Sequence, residues 1–328
     1  YICLTPTRNE NWIIGHFLAA ADCWASQTVI VDQQSDDGTL DKICNRSNVH
    51  VVRNPSLKYD EAYRQNLLIQ YARQTPGKRI LLALDADEAL SANCTSSAEW
   101  EKIAQAEPGT VIRFRWVNIL PGFKQAWIPK NLIACGFVDD GSKHTGQQIH
   151  SRRIPWPEGA PVLDLTDIVV LHFQYVAWNR VLSKQRWYQA WEHLNNPSRS
   201  VLDIFRQYNH MRGSWSTDEI FPVEAIWLND YERQGIDYRT LRAEDQTWWD
   251  REVAKMLTQH GAEHFRKIAI WDNDWTAPSL NSGSQNEEHK DPRCFLEKTA
   301  HWLLKATQHR RTSWDVRGLE YILRRLGW

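Results

Sequence analysis

The sequence lacks a strong net charge and lacks any long apolar run. Its 39 Lys and Arg residues nearly balance its 40 Asp and Glu residues, which excludes the strongly basic composition typical of proteins that bind nucleic acid. A helix that crosses a bilayer needs about 20 consecutive apolar residues. The longest candidate, "DIVVLHFQYVAW" (167–178), is shorter than that and contains His172. We therefore expect neither a nucleic-acid partner nor a membrane span.

Closely spaced cysteine pairs are also missing. The six cysteines are Cys3, Cys23, Cys44, Cys94, Cys135 and Cys294, and no two of them form a C-x-x-C pair. This scatter favours reduced thiols in a cytoplasmic protein over a disulfide framework or a zinc site. The sequence starts at Tyr1, within a predicted strand and without an initiator methionine. We therefore leave open an upstream signal or anchor.

Tryptophan, in contrast, is abundant, with 18 residues among 328. Tryptophan side chains pack in cores, but they also present flat faces to sugar rings and an amphipathic edge to membranes. Core packing is the usual role of each one. The candidates for stacking on a sugar acceptor are Trp215, Trp227, Trp248, Trp249, Trp271 and Trp275.

The order of the hydrophobic patterns predicts an α/β fold. In the first hundred residues, the apolar patterns "YICLT", "TVIVD", "VHVVRN" and "RILLAL" alternate with helical patterns, as in a mainly parallel sheet with helices on both faces. The patterns "VIRFRWVNI", "QIHSRRIPW" and "DIVVLHFQY" follow, so we expect the sheet to become mixed there. The remaining pattern is mostly helical. We therefore predict an α/β domain over residues 1–190 and a helical, Trp-rich region over residues 191–328.

Polar residues follow each of the first four predicted strands. They are Thr5 to Glu10, Asp32, Asn54, and Asp85 to Glu88. Ligands of open α/β sheets bind beyond the carboxyl ends of the strands, so these residues mark the expected site.

The acids of "ILLALDADEAL" (80–90) have no basic neighbour in the sequence. Asp85, Asp87 and Glu88 form either a solvated acidic turn or a cation site. Mg²⁺ and Mn²⁺ prefer oxygen ligands and take one or two protein carboxylates together with phosphate oxygens and water.

Three blocks in this order resemble glycosyltransferase family 2, which has the GT-A fold. They are "TPTRNE" (5–10), "VDQQSDDGT" (31–39) and "LDADE" (84–88), and the resemblance covers roughly residues 1–175. It implies a Rossmann-like catalytic domain that transfers a sugar, with inversion, from a nucleotide-sugar donor to a glycan, lipid-linked or other hydroxyl acceptor. It also implies Mn²⁺ or Mg²⁺ bound by Asp87, with Asp85 sharing the metal or contacting the ribose. His172 matches the late histidine ligand of this family, with a buried structural histidine as the alternative.

The resemblance also implies a set of residues that bind the nucleotide sugar. They are Thr5, Pro6, Arg8, Glu10, Asp32, Arg64, Asp85, Lys184 and Arg186. A turn acid is the alternative for Asp32, and an exposed surface arginine is the alternative for Arg64. "SKQRWYQ" (183–189) has Ser183 where processive members carry the Gln of Gln-x-x-Arg-Trp, which argues against a processive synthase.

The catalytic base is the least determined residue. An inverting transfer needs a carboxylate to deprotonate the acceptor hydroxyl. The sequence offers Asp140 first, then Asp139, and also Glu158. A nucleotidyltransferase and a catalytically weak carbohydrate-binding or scaffold relative remain alternative functions, although "TPTRNE" has no glycine to form a phosphate cradle.

The last helical pattern, "SWDVRGLEYILRRLGW" (313–328), is amphipathic. Its apolar residues Leu319, Ile322, Leu323 and Leu326 fall on one side, with arginines elsewhere. We consider two interpretations of this helix. It docks onto the protein body, or it makes peripheral contact with the anionic inner face of a membrane.

Overall fold

The computed structural model describes residues 1–43, 46–56, 58–210, 219–242, 247–276 and 289–328. The chain divides into two compact units. The first consists of Tyr1–Ala177 and Glu219–Ala243, and the second of Trp178–Asp218 and Glu244–Trp328. The second unit thus starts before the predicted boundary at residue 190, and the chain later returns to the first unit.

The return segment belongs to the first unit because its aromatic side chains fill that unit's core. Trp227, Tyr231 and Tyr238 are each at most 2% exposed and pack with Phe173 and Ile119. This return was not predicted, since nothing in the spacing of aromatic residues specifies which core they enter.

Ten strands occur among the described residues, all in the first unit. They are β1 (Ile2–Thr7), β2 (Gln27–Asp32), β3 (Val49–Arg53), β4 (Ile80–Ala83), β5 (Glu88–Leu90), β6 (Val111–Ile119), β7 (Gln125–Trp127), β8 (Ile133–Val138), β9 (Val162–His172) and β10 (Ile220–Pro222). The α-helices in chain order are α1 (Ile14–Asp22), α2 (Thr39–Ile43), α3 (Glu61–Ala72), α4 (Ala98–Gln105), α5 (Trp178–Asn195), α6 (Val201–Tyr208), α7 (Asn229–Arg233), α8 (Trp248–His260), α9 (Phe295–Ala306) and α10 (Trp314–Arg325).

The sheet confirms the α/β prediction. Its order is β10-β7-β6-β8-β4-β1-β2-β3, with β9 pairing both β5 and β6. Strands β4, β1, β2 and β3 are parallel, whereas β8 joins β4 antiparallel and the sheet is mixed beyond it. Alternate residues of β1 point to opposite faces, with Leu4 in the cluster of α3 and Cys3 in the cluster of α1. Both faces of the parallel part are therefore covered by helices.

Two strand predictions differ from the structure. β1 continues past Pro6 to Thr7, because β4 pairs only with Ile2–Leu4 and leaves the proline without a ladder partner on that side. Residues 148–156, predicted as a strand, are irregular, with Pro155 near their end and with His150 at a positive φ of 56°. The antiparallel strands β7 and β8 were not predicted.

The second unit is helical, as predicted for this part of the chain. Leu202, Phe205, Leu304 and Leu323 form its core together with neighbouring apolar residues.

The predicted stacking tryptophans are buried: Trp227, Trp248, Trp249, Trp271 and Trp275 are between 1% and 7% exposed. They are core residues here, and Trp215 lies outside the described residues. No helix in the described part of the chain is both long and apolar enough to cross a membrane.

Candidate active site

The acids of "LDADE" lie in a tight turn at the carboxyl end of β4. The Glu88 amide donates to the Asp85 carbonyl at 2.9 Å, and the Asp85 amide donates to Glu88 Oε2 at 2.9 Å. Glu88 then starts β5, opposite His172 of β9, and is 1% exposed. The acids are thus held in fixed positions, which a solvated turn would not require.

Arg153 supplies the positive charge that the local sequence lacks. Its guanidinium donates to Asp85 Oδ2 at 2.9 Å, to Glu88 Oε1 at 3.1 Å and also to Glu88 Oε2. Burial alone would lower the pKa of Arg153, but Asp85 and Glu88 raise it well above its ordinary value. Arg153 is therefore a permanent cation between two carboxylates. Arg153 was not predicted as a site residue, because no spacing rule links an arginine to an acid 65 positions earlier in the sequence.

Asp87 faces His172. His172 Nε2 lies 3.6 Å from Asp87 Oδ2, and the side chains are 4% and 14% exposed. This separation exceeds that of a normal hydrogen bond. The two residues that the resemblance implies as metal ligands are therefore adjacent at the same edge of the sheet.

Asn118 determines which nitrogen of His172 carries a proton. The Asn118 Nδ2 group donates to the carbonyls of Trp116 and Trp127, at 3.4 and 3.2 Å. Its Oδ1 therefore faces His172 Nδ1, at 2.7 Å, and accepts a hydrogen bond from the protonated Nδ1. In the neutral ring this leaves the lone pair of Nε2 directed toward Asp87.

Trp116 connects this histidine to the acidic turn. Its ring stacks on His172 with centroids 4.6 Å apart and planes inclined by 16°, and its Nε1 donates to Glu88 Oε1 at 2.9 Å. Neither Trp116 nor Asn118 was singled out from the sequence, although the pattern of β6 was predicted with the observed bounds.

Glu99 sets the register that brings His172 here. Between Phe114 and Arg115 the β6–β9 pairing jumps from Leu165 to Val169. The amides of the intervening residues 166–168 donate to the Glu99 carboxylate at 2.9 to 3.0 Å. A slip of one residue would turn His172 to the other face of the sheet.

The geometry fits a cation held by two side chains. A carboxylate oxygen and a nitrogen lone pair repel each other at 3.6 Å unless a cation or a proton lies between them. Within the described ranges, no group of three or more His, Cys, Asp or Glu side chains is arranged to hold a metal ion. Asp85 pairs with Arg153, and Asp87 lies next to His172. The roles of these three residues as metal ligands stay predictions.

Asp32 organises the loops at the neighbouring strand ends. Its Oδ1 accepts from the hydroxyls of Thr7, at 3.0 Å, and Ser35, at 2.5 Å, and its Oδ2 accepts from the Ser35 amide at 3.1 Å. The side chain is 1% exposed. Asp32 here stabilises a turn, which was the alternative interpretation. Its contact with the base of a nucleotide stays a prediction.

The first loop divides into a buried and an accessible part. Thr5 is fully buried and donates to the carbonyl of Leu84, so it corrects the prediction that Thr5 lines the nucleotide. Pro6, Arg8 and Glu10 are partly exposed. Glu10 Oε2 accepts from Trp12 Nε1 at 2.8 Å. These three remain at the open edge of the sheet.

Arg64 lies near the same edge, in the first turns of α3. Its guanidinium is 4.8 Å from the centre of the Tyr59 ring and donates to Gln33 Oε1 at 3.4 Å. Gln33 directly follows β2, so Arg64 lies close to the loop of Asp32. Its binding to a donor phosphate stays a prediction.

Asp139 and Asp140 lie at the opposite edge of the sheet. β8 runs antiparallel to β4, so its end at Val138 pairs with Ile80, the first residue of β4. Asp139 binds Arg73 and Arg79, each at 2.8 Å. Burial alone would raise the pKa of Asp139, but the two arginines hold it below its ordinary value. This placement contradicts the assignment of Asp140 or Asp139 as catalytic base.

Lys184 and Arg186 belong to the second unit. Arg186 forms two hydrogen bonds with Asp250, at 2.8 and 2.7 Å, and lies 3.7 Å from Asp272. Lys184 Nζ lies 5.9 Å from the centre of the Trp249 ring. Arg186 thus has carboxylate partners within its own unit, and the predicted phosphate contacts of both residues stay predictions.

Comparison with known proteins finds no family model and no curated protein that matches the chain. Solved structures similar to it include the inositol-1-phosphate CTP transferase from T. maritima, which is 11% identical over 54% of this chain and 90% of that chain, with a TM-score of 0.33. Residues 1–349 of S. aureus TarS are 13% identical over 97% and 82%, with a TM-score of 0.35. HddC from Yersinia pseudotuberculosis is 7% identical over 55% and 97%, with a TM-score of 0.33. Similarity at this level does not assign a reaction to the chain.

Proposed function

We propose that the chain is a metal-dependent, inverting glycosyltransferase that moves a sugar from a nucleotide-sugar donor to a hydroxyl of a glycan or lipid-linked acceptor. The observation that supports this proposal is the pair formed by Asp87 and His172 at the carboxyl end of β4, with the Nε2 lone pair facing a carboxylate. A donor diphosphate brings negative charge to an edge that is already acidic, so a cation is needed there.

Asp87 and His172 would hold Mn²⁺ or Mg²⁺, which supplies Lewis-acid stabilisation of the charge that grows on the leaving diphosphate. Asn118 would keep the histidine in the tautomer that can bind a metal. Arg153 would fix Asp85 and neutralise part of the acidic turn, so that Asp85 stays close to the donor without binding the metal. Arg8 and Arg64 would contact the donor from the neighbouring loops.

Binding of nucleoside diphosphates tests this proposal. Calorimetric titration with the diphosphates of uridine, guanosine, cytidine and thymidine is expected to give binding of at least one of them with Mn²⁺ and none in EDTA. Incubation with the matching sugar donor and NMR of the product would then establish inversion at the anomeric carbon. Absence of nucleotide binding with either metal would contradict the proposal.

Substitutions separate the metal ligands from the surrounding acids. Asp87→Asn and His172→Gln should each abolish Mn²⁺ binding, measured by electron paramagnetic resonance without nucleotide. Asn118→Ala should weaken it by about 10- to 100-fold, the usual effect of losing a partner of a ligating histidine. Asp164→Asn is the matched control, because that carboxylate lies on β9 but pairs with Arg113 at 2.6 Å. Equal Mn²⁺ affinity in Asp87→Asn and the control would rule out the assigned ligand.

The same assay distinguishes the alternative functions. A nucleotidyltransferase would release pyrophosphate from a nucleoside triphosphate and a sugar phosphate. A carbohydrate-binding relative would bind the donor without turnover against a broad set of acceptors. Either result would replace glycosyl transfer as the proposed function.

A further inference from the structure

The two C-terminal helices expose large apolar side chains that most folded proteins bury. On α9 these are Phe295, Leu296 and Trp302, which are 80%, 75% and 66% exposed. On α10, Trp314 and Tyr321 are 87% and 61% exposed. Both helices have a separate buried face, so this exposure is additional to the packing that holds them in place.

The buried face of each helix is opposite the exposed one. Ala300 and Leu304 of α9 and Val316 and Leu323 of α10 are at most 6% exposed. Ala300, Leu304 and Leu323 share one core cluster. With 3.6 residues per turn, the positions opposite this core on α10 are those of Trp314, Arg317, Tyr321 and Arg325. The amphipathic C-terminal helix therefore docks, as predicted, but by Val316 and Leu323, while Ile322 and Leu326 stay exposed.

Basic residues alternate with the exposed aromatic residues. Arg317 and Arg325 are exposed on α10, and the Arg325 guanidinium lies 5.4 Å from the centre of the Tyr321 ring. Lys298 is exposed on α9, and Lys305 lies one turn beyond Trp302. We call the outward faces of α9 and α10, with these residues, the terminal surface.

The acids of these helices each pair with a basic side chain, and of these three acids Asp315 is the exposed one. Glu297 is 8% exposed and binds Arg266, and Glu320 binds the buried Arg206 at 2.7 Å. Asp315, at the side of the first turn of α10, pairs with Arg310 at 3.3 Å. Residues 289–328 hold nine Lys or Arg against four Asp or Glu, although the whole chain has a net charge of −1. Positive charge is thus concentrated beside the exposed apolar side chains.

We propose that the terminal surface binds the interface of a bilayer that contains anionic phospholipids. Tryptophan and tyrosine favour the headgroup region, and lysine and arginine attract anionic headgroups while their stems stay in apolar surroundings. A soluble acidic polymer would explain the basic residues, but it would not explain the exposed Leu296, Ile322 and Leu326. A bilayer accounts for both. This inference does not depend on the proposed sugar transfer.

Vesicle flotation with the full chain tests the proposal. The chain is expected to float with vesicles of phosphatidylcholine and phosphatidylglycerol, to stay at the bottom with phosphatidylcholine alone, and to be released by salt, which screens charge beyond about 10 Å at 0.1 M. Arg317→Gln with Arg325→Gln should weaken the partition coefficient at least about tenfold. Trp314→Ser with Tyr321→Ser should also weaken it, because apolar contact is lost.

The matched control is Phe221→Ser with Arg233→Gln in the first unit, where Phe221 is 42% exposed and the Arg233 side chain 76%. Circular dichroism and thermal unfolding should be the same for all variants, since every substituted side chain is exposed. Failure of the wild type to float, or equal flotation of the terminal variants and the control, would overturn the proposal. So would a dimer in light scattering that only the terminal variants disrupt, or binding to an acidic polysaccharide but not to vesicles.

Discussion

At the scale of single residues, Arg153 is the side chain on which the acidic turn depends. It is bonded to one carboxylate that is fully buried and one that is 39% exposed. The Arg113–Asp164 pair has two bonds of 2.6 Å, but its side chains are 34% and 46% exposed. The same chemical pair therefore occurs once in a desolvated and once in a solvated setting.

Replacement of these two arginines should have unequal effects. Arg153→Met leaves Glu88 as an uncompensated buried charge and should lower the free energy of unfolding by about 3 kcal/mol. Arg113→Met should lower it by less than about 1 kcal/mol, because water already screens that pair. Urea unfolding followed by tryptophan fluorescence measures both values. Equal losses would contradict a structural dependence of the turn on Arg153.

The residues around the acidic turn show which parts of the site could be predicted from the sequence and which could not. Asp87 and His172 were expected near one metal because the resemblance to glycosyltransferase family 2 implied both as ligands. Arg153, Asn118 and Trp116 were not expected, because their positions depend on strand register and on an irregular segment. Register is determined by tertiary pairing, which local spacing does not specify.

At the scale of elements, the parallel half of the sheet was predictable and the antiparallel half was not. Strands β1 to β4 alternate with helices at regular intervals, and β1, β2 and β4 are almost entirely buried, which gives a clear pattern. β7 has three residues, β8 was not predicted, and residues 148–156 after β8 were wrongly predicted as a strand. Asp139, which directly follows β8, binds two arginines there and connects β8 to the start of β4.

This role of Asp139 predicts a pH-dependent effect on stability. Asp139→Asn should lower the free energy of unfolding by about 3 kcal/mol at neutral pH, because it leaves Arg73 and Arg79 without their shared carboxylate. The pKa of Asp139 is lower in the folded chain, so its stabilisation is complete above the unfolded pKa of about 3.9 and is lost as the pH falls through the folded value. The difference between variant and wild type should therefore narrow in acid.

Chemical denaturation at a series of pH values measures that difference. Asp140→Asn is the control, since Asp140 is exposed and bonds only its own turn, through the Ser142 amide at 2.8 Å. If either variant abolished sugar transfer while the chain stayed folded and kept its metal-dependent nucleotide binding, the correction to the catalytic base would itself be wrong.

At the scale of the whole molecule, the order of the chain does not follow the order of the units. Tyr231, far along the sequence, is 1% exposed and donates to the carbonyl of Leu90 at 2.9 Å. The amide of Ala92 likewise donates to the carbonyl of Trp227 at 2.8 Å. The late segment therefore supports β5, the strand that starts at Glu88.

Tyr231→Ala should disturb a strand that is remote in sequence. The lost side chain should lower the free energy of unfolding by about 4 kcal/mol, and hydrogen exchange should show reduced protection of the amides at 90–92. Tyr63→Ala, at a site that is 43% exposed, should change neither quantity appreciably. Unchanged protection at 90–92 in Tyr231→Ala would contradict the assignment of residues 219–243 to the first unit.

The pairing of β9 with both β5 and β6 has a consequence for biosynthesis. A ribosome releases "LDADE" long before it releases His172, and the segment that supports β5 emerges later still. The acidic turn therefore lacks His172 until β9 has been synthesised and pairs with β5 and β6. Contacts between such distant segments form slowly. A prematurely terminated chain that ends just before β9 would keep the acids and Arg153 but not His172, so only a completed first unit can assemble the whole cluster.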